Sequence, residues 1–342
     1  MTSITIRVPD WMKAEMDRHK EINWAEVIRN CIRTKLAELK PVIVIEELVD
    51  KYLKQNDEIK LRTLDLFAEN ISEYQISSNI KIMYGEWAIQ KASETLSELK
   101  EIGIEKPYNK IGDSEAREVI SDVLDRKGIY DMFKEKLKME LRSAEKYITD
   151  AIWLLSHYDY REILPEGFIR TFGILHPEFK GDIMYDLTRM GMLYMNYSRT
   201  THYFYKYYKV PLYARKVLED IAQNNEKFVR DNLRKLIKEN WFIDFIKWMN
   251  IDINNLSYDS YWWNSKWIGI YEEREVKDSY KKTYGKDFDE VLSTLIKMGI
   301  SIIDYRPEKR RAGSRGHPPF WVLRLTPIAI KYLVEYAIEG KI

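Results

Sequence analysis

The chain has 342 residues, 45% of them hydrophobic, which is enough for two or three domains with buried cores. Its 55 basic and 54 acidic residues nearly cancel, so any surface for an acidic partner must be local. The single cysteine excludes an intrachain disulfide and a thiolate zinc site, and no apolar run approaches membrane-spanning length. The N-terminus also lacks the pattern of a signal peptide. We therefore expect a cytoplasmic protein without membrane contact.

The first predicted element is a strand in the sequence SITIRVP. Its polar and apolar side chains alternate with the period of a half-buried strand, in the order Ser3, Ile4, Thr5, Ile6, Arg7 and Val8. Pro9 ends the strand, and no second strand follows nearby. Because a lone strand leaves its backbone groups unpaired, the simplest partner is a second copy of the chain, paired antiparallel across a two-fold axis.

Two predicted helices follow this strand. In the first, Met12 and Met16 lie four residues apart and share one face. The second begins at Asn23, a favourable N-cap with Glu26 three residues later, and we expect the module to end at Pro41. Its apolar stripe, together with the apolar face of the strand, predicts a dimerisation surface made of Ile4, Ile6, Val8, Val27, Ile28, Cys31 and Ile32.

The stretches ITIRVP and NWAEVIRNCIR, with the methionine pair between them, resemble the ribbon-helix-helix family of repressors and antitoxins. The resemblance covers residues 1–40. It implies an obligate homodimer whose two-stranded ribbon enters the major groove of double-stranded DNA, where arginine can bind guanine with two hydrogen bonds. Amides at the start of the second helix would hold a backbone phosphate. The residues assigned to DNA in this way are Ser3, Thr5, Arg7, Asn23, Trp24 and Ala25. An ordinary edge strand facing water remains the alternative.

Residues 41–145 are predicted to be helical. Candidate helices occur in VIVIEELVDKYLKQ, EIKLRTLDLFAEN and EWAIQKASETLSELKEIGI, before the Gly- and Pro-containing stretch GIEKPYNKIGD breaks the pattern. A degenerate helix-turn-helix and a plain helical spacer both fit this region.

Residues 146–225 and 226–342 each show helices, then two strands, then a last helix. In the first stretch the strands are MLYMNYSR and YFYKYYKVPLY; in the second, the segment MGISII is followed by a loop and the strand WVLRLT. This order resembles the winged-helix regulators of archaea and bacteria. The predicted fold class is therefore mainly α with short β: a ribbon-helix-helix, a helical region and two winged-helix-like units.

The loop DYRPEKRRAGSRGHPPF of the last unit is strongly basic. Such a wing can lie along phosphates or place an arginine in a narrow minor groove, although a solvated surface loop is the alternative. Its candidate DNA-binding residues are Arg306, Lys309, Arg310, Arg311, Arg315 and His317. Carboxylates near the third helices argue against major-groove reading by those helices, namely Asp182, Asp186, Asp287, Asp289 and Glu290.

The stretch YWWNSKW carries Trp262, Trp263 and Trp267. Tryptophans four apart share a helix face, which favours a core or dimer role over stacking on bases. The tyrosines of the first wing, in SRTTHYFYKYYK, are likewise expected to pack against their own hairpin or a subunit interface.

No phosphate-binding glycine loop, nucleophile motif or metal-ligand spacing is present, and the carboxylates are expected at solvated helix positions. We therefore predict neither enzymatic activity nor a metal or cofactor. The leading hypothesis is a homodimeric, nucleoid-associated transcriptional regulator that binds specific DNA sequences. Two alternatives remain open. One is a DNA-organising protein for plasmid partition, copy control or chromatin; the other is an antitoxin-like factor whose C-terminal units bind a protein partner.

Overall fold

The computed structural model describes residues 7–19, 22–102, 104, 112–158, 160, 162–199, 204–250, 265–269, 273–306 and 319–340. Within them the chain is mainly helical with short strands, as predicted. The helices are α1 (Asp10–Arg18), α2 (Trp24–Lys54), α3 (Glu58–Ala68), α4 (Glu73–Tyr84), α5 (Ala88–Glu101), α6 (Gly112–Arg126), α7 (Ile129–Arg142), α8 (Lys146–Leu155), α9 (Pro165–Leu175), α10 (Ile183–Arg189), α11 (Leu212–Leu236), α12 (Asn240–Trp248), α13 (Glu273–Tyr284), α14 (Phe288–Lys297) and α15 (Pro327–Ile338). The strands are β1 (Tyr194–Arg199), β2 (Phe204–Lys209), β3 (Ser265–Gly269), β4 (Ser301–Arg306) and β5 (Phe320–Leu325).

Helix α2 does not end at Pro41, where the sequence predicted the end of the N-terminal module. It continues to Lys54. A proline inside a helix removes one backbone hydrogen bond and disfavours the preceding turn. Beyond it, however, Ile45, Val49 and Tyr52 are fully buried. Burial of this apolar stripe holds the second half of the helix in place and offsets the cost of the proline.

A first hydrophobic core extends from Ile45 to Leu218 and includes Ile302. It spans the predicted boundary between residues 145 and 146, because helices on both sides contribute to it. The Phe133 ring of α7, for example, packs edge-on against Tyr213 of α11, with the ring centroids 5.4 Å apart. Strand β1 is tied to α4 by the Asn79 side chain, which donates to Met195 O at 2.9 Å and accepts from Met195 N at 2.8 Å.

Helices α8, α9 and α10 precede the hairpin β1–β2 in the predicted order. The two strands pair antiparallel, from Tyr194 opposite Lys209 to Arg199 opposite Phe204, which confirms the predicted hairpin. The chain reverses from α10 into β1 at Gly191, whose φ of 75° lies in the left-handed region that favours glycine.

A second hydrophobic core extends from Val229 to Tyr336. Its sheet has the antiparallel order β3-β5-β4, with α12 to α15 packed around it. The expectation that Trp267 lies on a helix is wrong: it lies in β3, opposite Val322 of β5. Strand β5 pairs with β4 on one side and with the segment around Trp267 on the other, so that segment is extended rather than helical. Trp262 and Trp263 lie outside the described residues.

Helix α11 joins the two cores. Its first turns bury Tyr213, Val217 and Leu218 in the first core, and its last turns bury Val229 and Leu233 in the second. The predicted boundary between residues 225 and 226 therefore falls inside a continuous helix. Residues 212–236 contain neither glycine nor proline, so nothing in the sequence interrupts the helix.

The two cores also meet where α9 packs on β4. The Tyr158 hydroxyl donates to Ile303 O at 2.6 Å, and the Thr171 hydroxyl oxygen accepts from Ile303 N at 3.0 Å. Nearby, the Arg170 guanidinium pairs with the Glu273 carboxylate and lies 4.4 Å from the centre of the Trp321 ring. Buried hydrogen bonds thus hold β4, which leads into the basic wing, against the first core.

Gly167 allows this close packing, and replacing it with alanine should loosen it. A Cβ at this position would lie 2.8 Å from backbone atoms of Asp304 and Tyr305. We expect Gly167→Ala to lower the free energy of unfolding by about 1–3 kcal/mol through overpacking. Gly173→Ala in the same helix is the control, because its Cβ would meet no atom within 4 Å; it should be neutral or stabilising by up to about 1 kcal/mol. Equal effects of the two variants in urea unfolding would contradict this account.

Candidate nucleic-acid interface

The N-terminal segment, residues 7–31, buries none of its described side chains within a single chain. Trp11 is 70% exposed, Val27 41%, and both Met12 and Ile22 37%. The turn between the helices is nevertheless ordered by local hydrogen bonds: the Trp24 indole donates to Met16 O at 3.0 Å. Helices α1 and the start of α2 therefore present an apolar surface that the rest of the described chain does not cover.

The predicted dimerisation residues lie on this surface where they are described. Val8 and Ile28 are half-buried, and Val27 and Cys31 are exposed. Ile4, Ile6 and the side chain of Ile32 lie outside the described residues. The described residues of this set are thus exposed or half-buried in the single chain, as the residues of a subunit interface are before the subunits assemble.

The predicted DNA-reading strand lies mostly outside the described residues, as do Ser3 and Thr5. Arg7 and Val8 are described and belong to neither a helix nor a strand of the single chain. Arg7 is exposed. A ribbon at this position would form only when a second chain supplies the pairing partner.

The start of α2 has the predicted cap: the Asn23 side chain accepts from Glu26 N at 3.2 Å. The Trp24 amide, predicted to hold a phosphate, donates to Ile22 O at 3.0 Å. Ala25 is exposed in the same turn. A phosphate at this helix start would therefore compete with the Ile22 carbonyl oxygen for the Trp24 amide.

Strands β4 and β5 bring the two ends of the basic wing together, with Arg306 opposite Phe320. The Arg306 guanidinium lies 3.9 Å from the Asp304 carboxylate, so part of its charge is balanced within the strand. Lys309, Arg310, Arg311, Arg315 and His317 lie outside the described residues. The structure therefore shows the two strands that flank the basic loop, and the contacts of the loop's central residues stay predictions.

Two of the carboxylates that argued against major-groove reading, Asp182 and Asp287, cap helices. The Asp182 side chain accepts from Met184 N and Tyr185 N, both at 3.1 Å, at the start of α10. Asp287 accepts from Asp289 N at 3.0 Å at the start of α14. Both helix N-termini, the positive ends of the helix dipoles, are thus already occupied by carboxylates of the chain.

One buried ionic network was not anticipated from the sequence. Arg62 and Asp65 of α3 are 3% and 0% exposed. The Arg62 guanidinium donates to the Tyr194 hydroxyl at 3.2 Å, and that hydroxyl donates to the Asp65 carboxylate at 2.5 Å. The guanidinium also lies 3.5 Å from the centre of the Phe133 ring and 4.5 Å from that of Tyr213.

The expectation that carboxylates occupy only solvated positions is therefore wrong for Asp65. Burial raises the pKa of its carboxyl above the usual range, and the nearby Arg62 guanidinium opposes that rise. The network connects α3, β1 and α11 inside the first core, so it is a structural feature rather than part of a DNA-contacting surface. In the sequence, the only signal was a charged pair, Arg62 and Asp65, three residues apart in the otherwise largely apolar stretch LRTLDLF of α3.

Within the part of the chain that the structure describes, no group of three His, Cys, Asp or Glu residues could hold a metal ion. No described helix is both long and apolar enough to cross a membrane.

A model of a ribbon-helix-helix protein family matches residues 4–78. The match supports the predicted ribbon-helix-helix segment and extends beyond residue 40 through α2 and α3 into α4. The family suggests a DNA-binding protein that acts as a dimer. No curated protein and no solved structure matches the chain.

Proposed function

We propose that this protein is a homodimeric transcriptional regulator that binds specific DNA sequences through a two-stranded ribbon formed by residues 3–8 of both subunits. The observation that carries the proposal is the uncovered apolar surface of α1 and α2, in a segment that matches a ribbon-helix-helix family. A second copy of the same segment would cover this surface and would supply the missing partner for the strand.

The C-terminal units are proposed to be winged-helix-like and to add contacts to DNA through the basic wing. Support comes from the element order, three helices followed by a paired hairpin, and from α14, β4, β5 and α15 in the last unit. The acidic caps of α10 and α14 favour phosphate contacts by the wing over base reading by these helices. The wing would then add affinity, and the ribbon would add specificity.

The dimer is tested by placing a charge on the proposed interface. Val27→Asp should raise the dimer dissociation constant at least about a hundredfold, because assembly would bury the new carboxylate without a partner. The fold of the rest of the chain should persist, since Val27 is 41% exposed in the single chain. Sedimentation equilibrium at micromolar concentration measures the change.

Lys13→Asp is the matched control, because Lys13 is an exposed polar residue of α1. It should leave the dimer intact if the apolar face alone forms the interface. A wild-type chain that sediments as a folded monomer would overturn the proposed dimer, and with it the ribbon. Selection of bound sequences from random DNA then tests whether the dimer recognises one site.

A further inference from the structure

A cleft of about 620 Å³ opens between the two cores. It is lined by residues from five helices: α7, α8, α9 with its C-cap, α11 and α14. The cleft lies beside the middle of α11, where the helix passes from one core to the other: its buried positions stop at Leu218 and resume at Val229, and between them Ile221 only packs against the edge of the first core. Its volume lies within the range of small-molecule sites, about 300–1,000 Å³.

One part of the lining is apolar and partly aromatic. Phe228 is 50% exposed although it lines a concave surface, and Leu175 packs against both cores. Exposed aromatic surface inside a concave site is the kind of surface that a ligand covers. The apolar lining residues are Leu141, Ile152, Trp153, Leu175, Ile221 and Phe228.

The polar lining has an excess of positive charge. Lys146, at the start of α8, and Lys297, at the end of α14, are exposed. The carboxylate of the lining, Asp150, lies 3.0 Å from the His176 ring nitrogen Nε2. The same ring lies 3.3 Å from the Glu178 carboxylate through Nδ1, so His176 is shared between two acids. In the lining itself the two lysines outnumber Asp150, and their ammonium groups favour an anionic group on whatever occupies the cleft.

We propose that this cleft binds a small aromatic or polycyclic carboxylate, with its ring system against Phe228 and Trp153 and its carboxylate near Lys146 and Lys297. Five helices surround the cleft, so its shape suits a compact molecule better than a flat protein surface. Trp153 also contacts the turn before β4: a Cβ on Gly299 would lie 2.8 Å from its ring. A molecule bound against Trp153 would therefore be connected, through this contact, to β4, the strand that leads into the basic wing. The proposal does not depend on DNA binding.

Isothermal titration of the full chain with three probes of equal size tests the charge preference. The probes are 2-naphthoate, the neutral 2-naphthamide and the cationic 2-naphthylmethylamine. We expect naphthoate to bind about two- to fivefold more tightly than the amide, the difference that one exposed ion pair can supply, and the amine to bind most weakly. Absence of binding by all three probes, or equal affinity for naphthoate and the amide, would overturn the proposal.

Variants locate the site. Phe228→Ala should weaken naphthoate binding about five- to tenfold through loss of the aromatic contact. The double variant Lys146→Ala, Lys297→Ala should abolish the preference for naphthoate while the affinity for the amide is kept. Lys227→Ala, at an exposed neighbouring position of α11 that does not line the cleft, is the control and should change neither affinity.

Hydrogen exchange with and without naphthoate provides a second, independent readout. Bound probe should slow exchange in residues 219–228 and around Gly299. Protection in residues 10–31 instead would place the probe on the uncovered apolar surface of α1 and α2, and would overturn the assignment of the cleft. So would an unchanged affinity in Phe228→Ala, whose fold can be checked by its thermal melting.

Discussion

Replacement of Arg62 by methionine should lower the free energy of unfolding by about 3–5 kcal/mol at pH 8. The side chain is 3% exposed and lies between the Phe133 and Tyr213 rings. Methionine can fill much of this apolar space, so the main loss is electrostatic: at pH 8 the fully buried Asp65 must either keep its charge without the cation that faces it or take up a proton, and both cost free energy. Urea unfolding monitored by circular dichroism measures the change.

The loss should be smaller at pH 5 than at pH 8. Burial already raises the pKa of Asp65 in the folded protein, and removal of Arg62 raises it further. Between the unfolded value, about 3.9, and the raised folded value, the folded variant binds more protons than the unfolded chain. The stability of the variant therefore increases as the pH falls from 8 towards 5. The wild-type protein gains less over the same interval, because the folded-state pKa of its Asp65, about 7, is lower than that of the variant. Equal losses at both pH values would show that the charge of Asp65 is not the cause.

Two further variants separate charge from packing. Arg62→Met combined with Asp65→Leu should regain most of the lost stability, because it removes both charges together. Arg126→Met is the exposed control. Arg126 pairs with Glu46 at 2.8 Å, but its side chain is 57% exposed, so its replacement should cost at most about 1 kcal/mol.

The starts of several helices could be predicted from the sequence because their signals are local. The Leu-Thr-Pro start of α15 is one example: the Thr326 side chain accepts from Ala329 N at 3.2 Å, and Pro327 occupies the first turn, where its missing amide costs nothing. Asn23 at the start of α2 is another. Such caps act within three residues, so a sequence pattern contains them completely.

The extent of α2 and α11 could not be predicted in this way. Helix α2 continues past its predicted boundary because residues far along the chain bury its face beyond Pro41. Helix α11 continues past its boundary because one core buries its first turns and the other core buries its last turns. The same holds for the network around Arg62, whose partner Tyr194 lies 132 positions away. The sequence around Arg62 contains its charge but not the surroundings that desolvate it.

For the proposed DNA interface, the local signals identified the segment and its order of elements, which a family model also matches. The pairing of two chains was predicted from the same segment and stays a prediction, because a strand without an internal partner makes no contact within one molecule. Arg7 is a described, polar residue of the proposed ribbon, so the ribbon can be tested by measuring how a change of Arg7 affects DNA binding.

Arg7→Ala should cost about 1–3 kcal/mol for each base contact on the preferred DNA site. Arg7 is exposed in the single chain, and a dimer would place two copies of it on the polar face of the ribbon. Among the polar residues proposed for that face, arginine alone can make two hydrogen bonds to one guanine. Binding to random DNA should fall much less, so the ratio of specific to random affinity should collapse.

Two comparisons identify the kind of contact. Arg7→Lys should restore random binding better than specificity, because lysine keeps the charge but lacks the planar guanidinium. The wing variant Arg310→Ala, Arg311→Ala should instead weaken binding to all sequences alike and reduce the salt dependence of binding by about two charges. Competition titrations at fixed salt measure both. If Arg7→Ala lowers specific and random binding equally, Arg7 contacts phosphate; if it lowers neither, the ribbon does not read DNA.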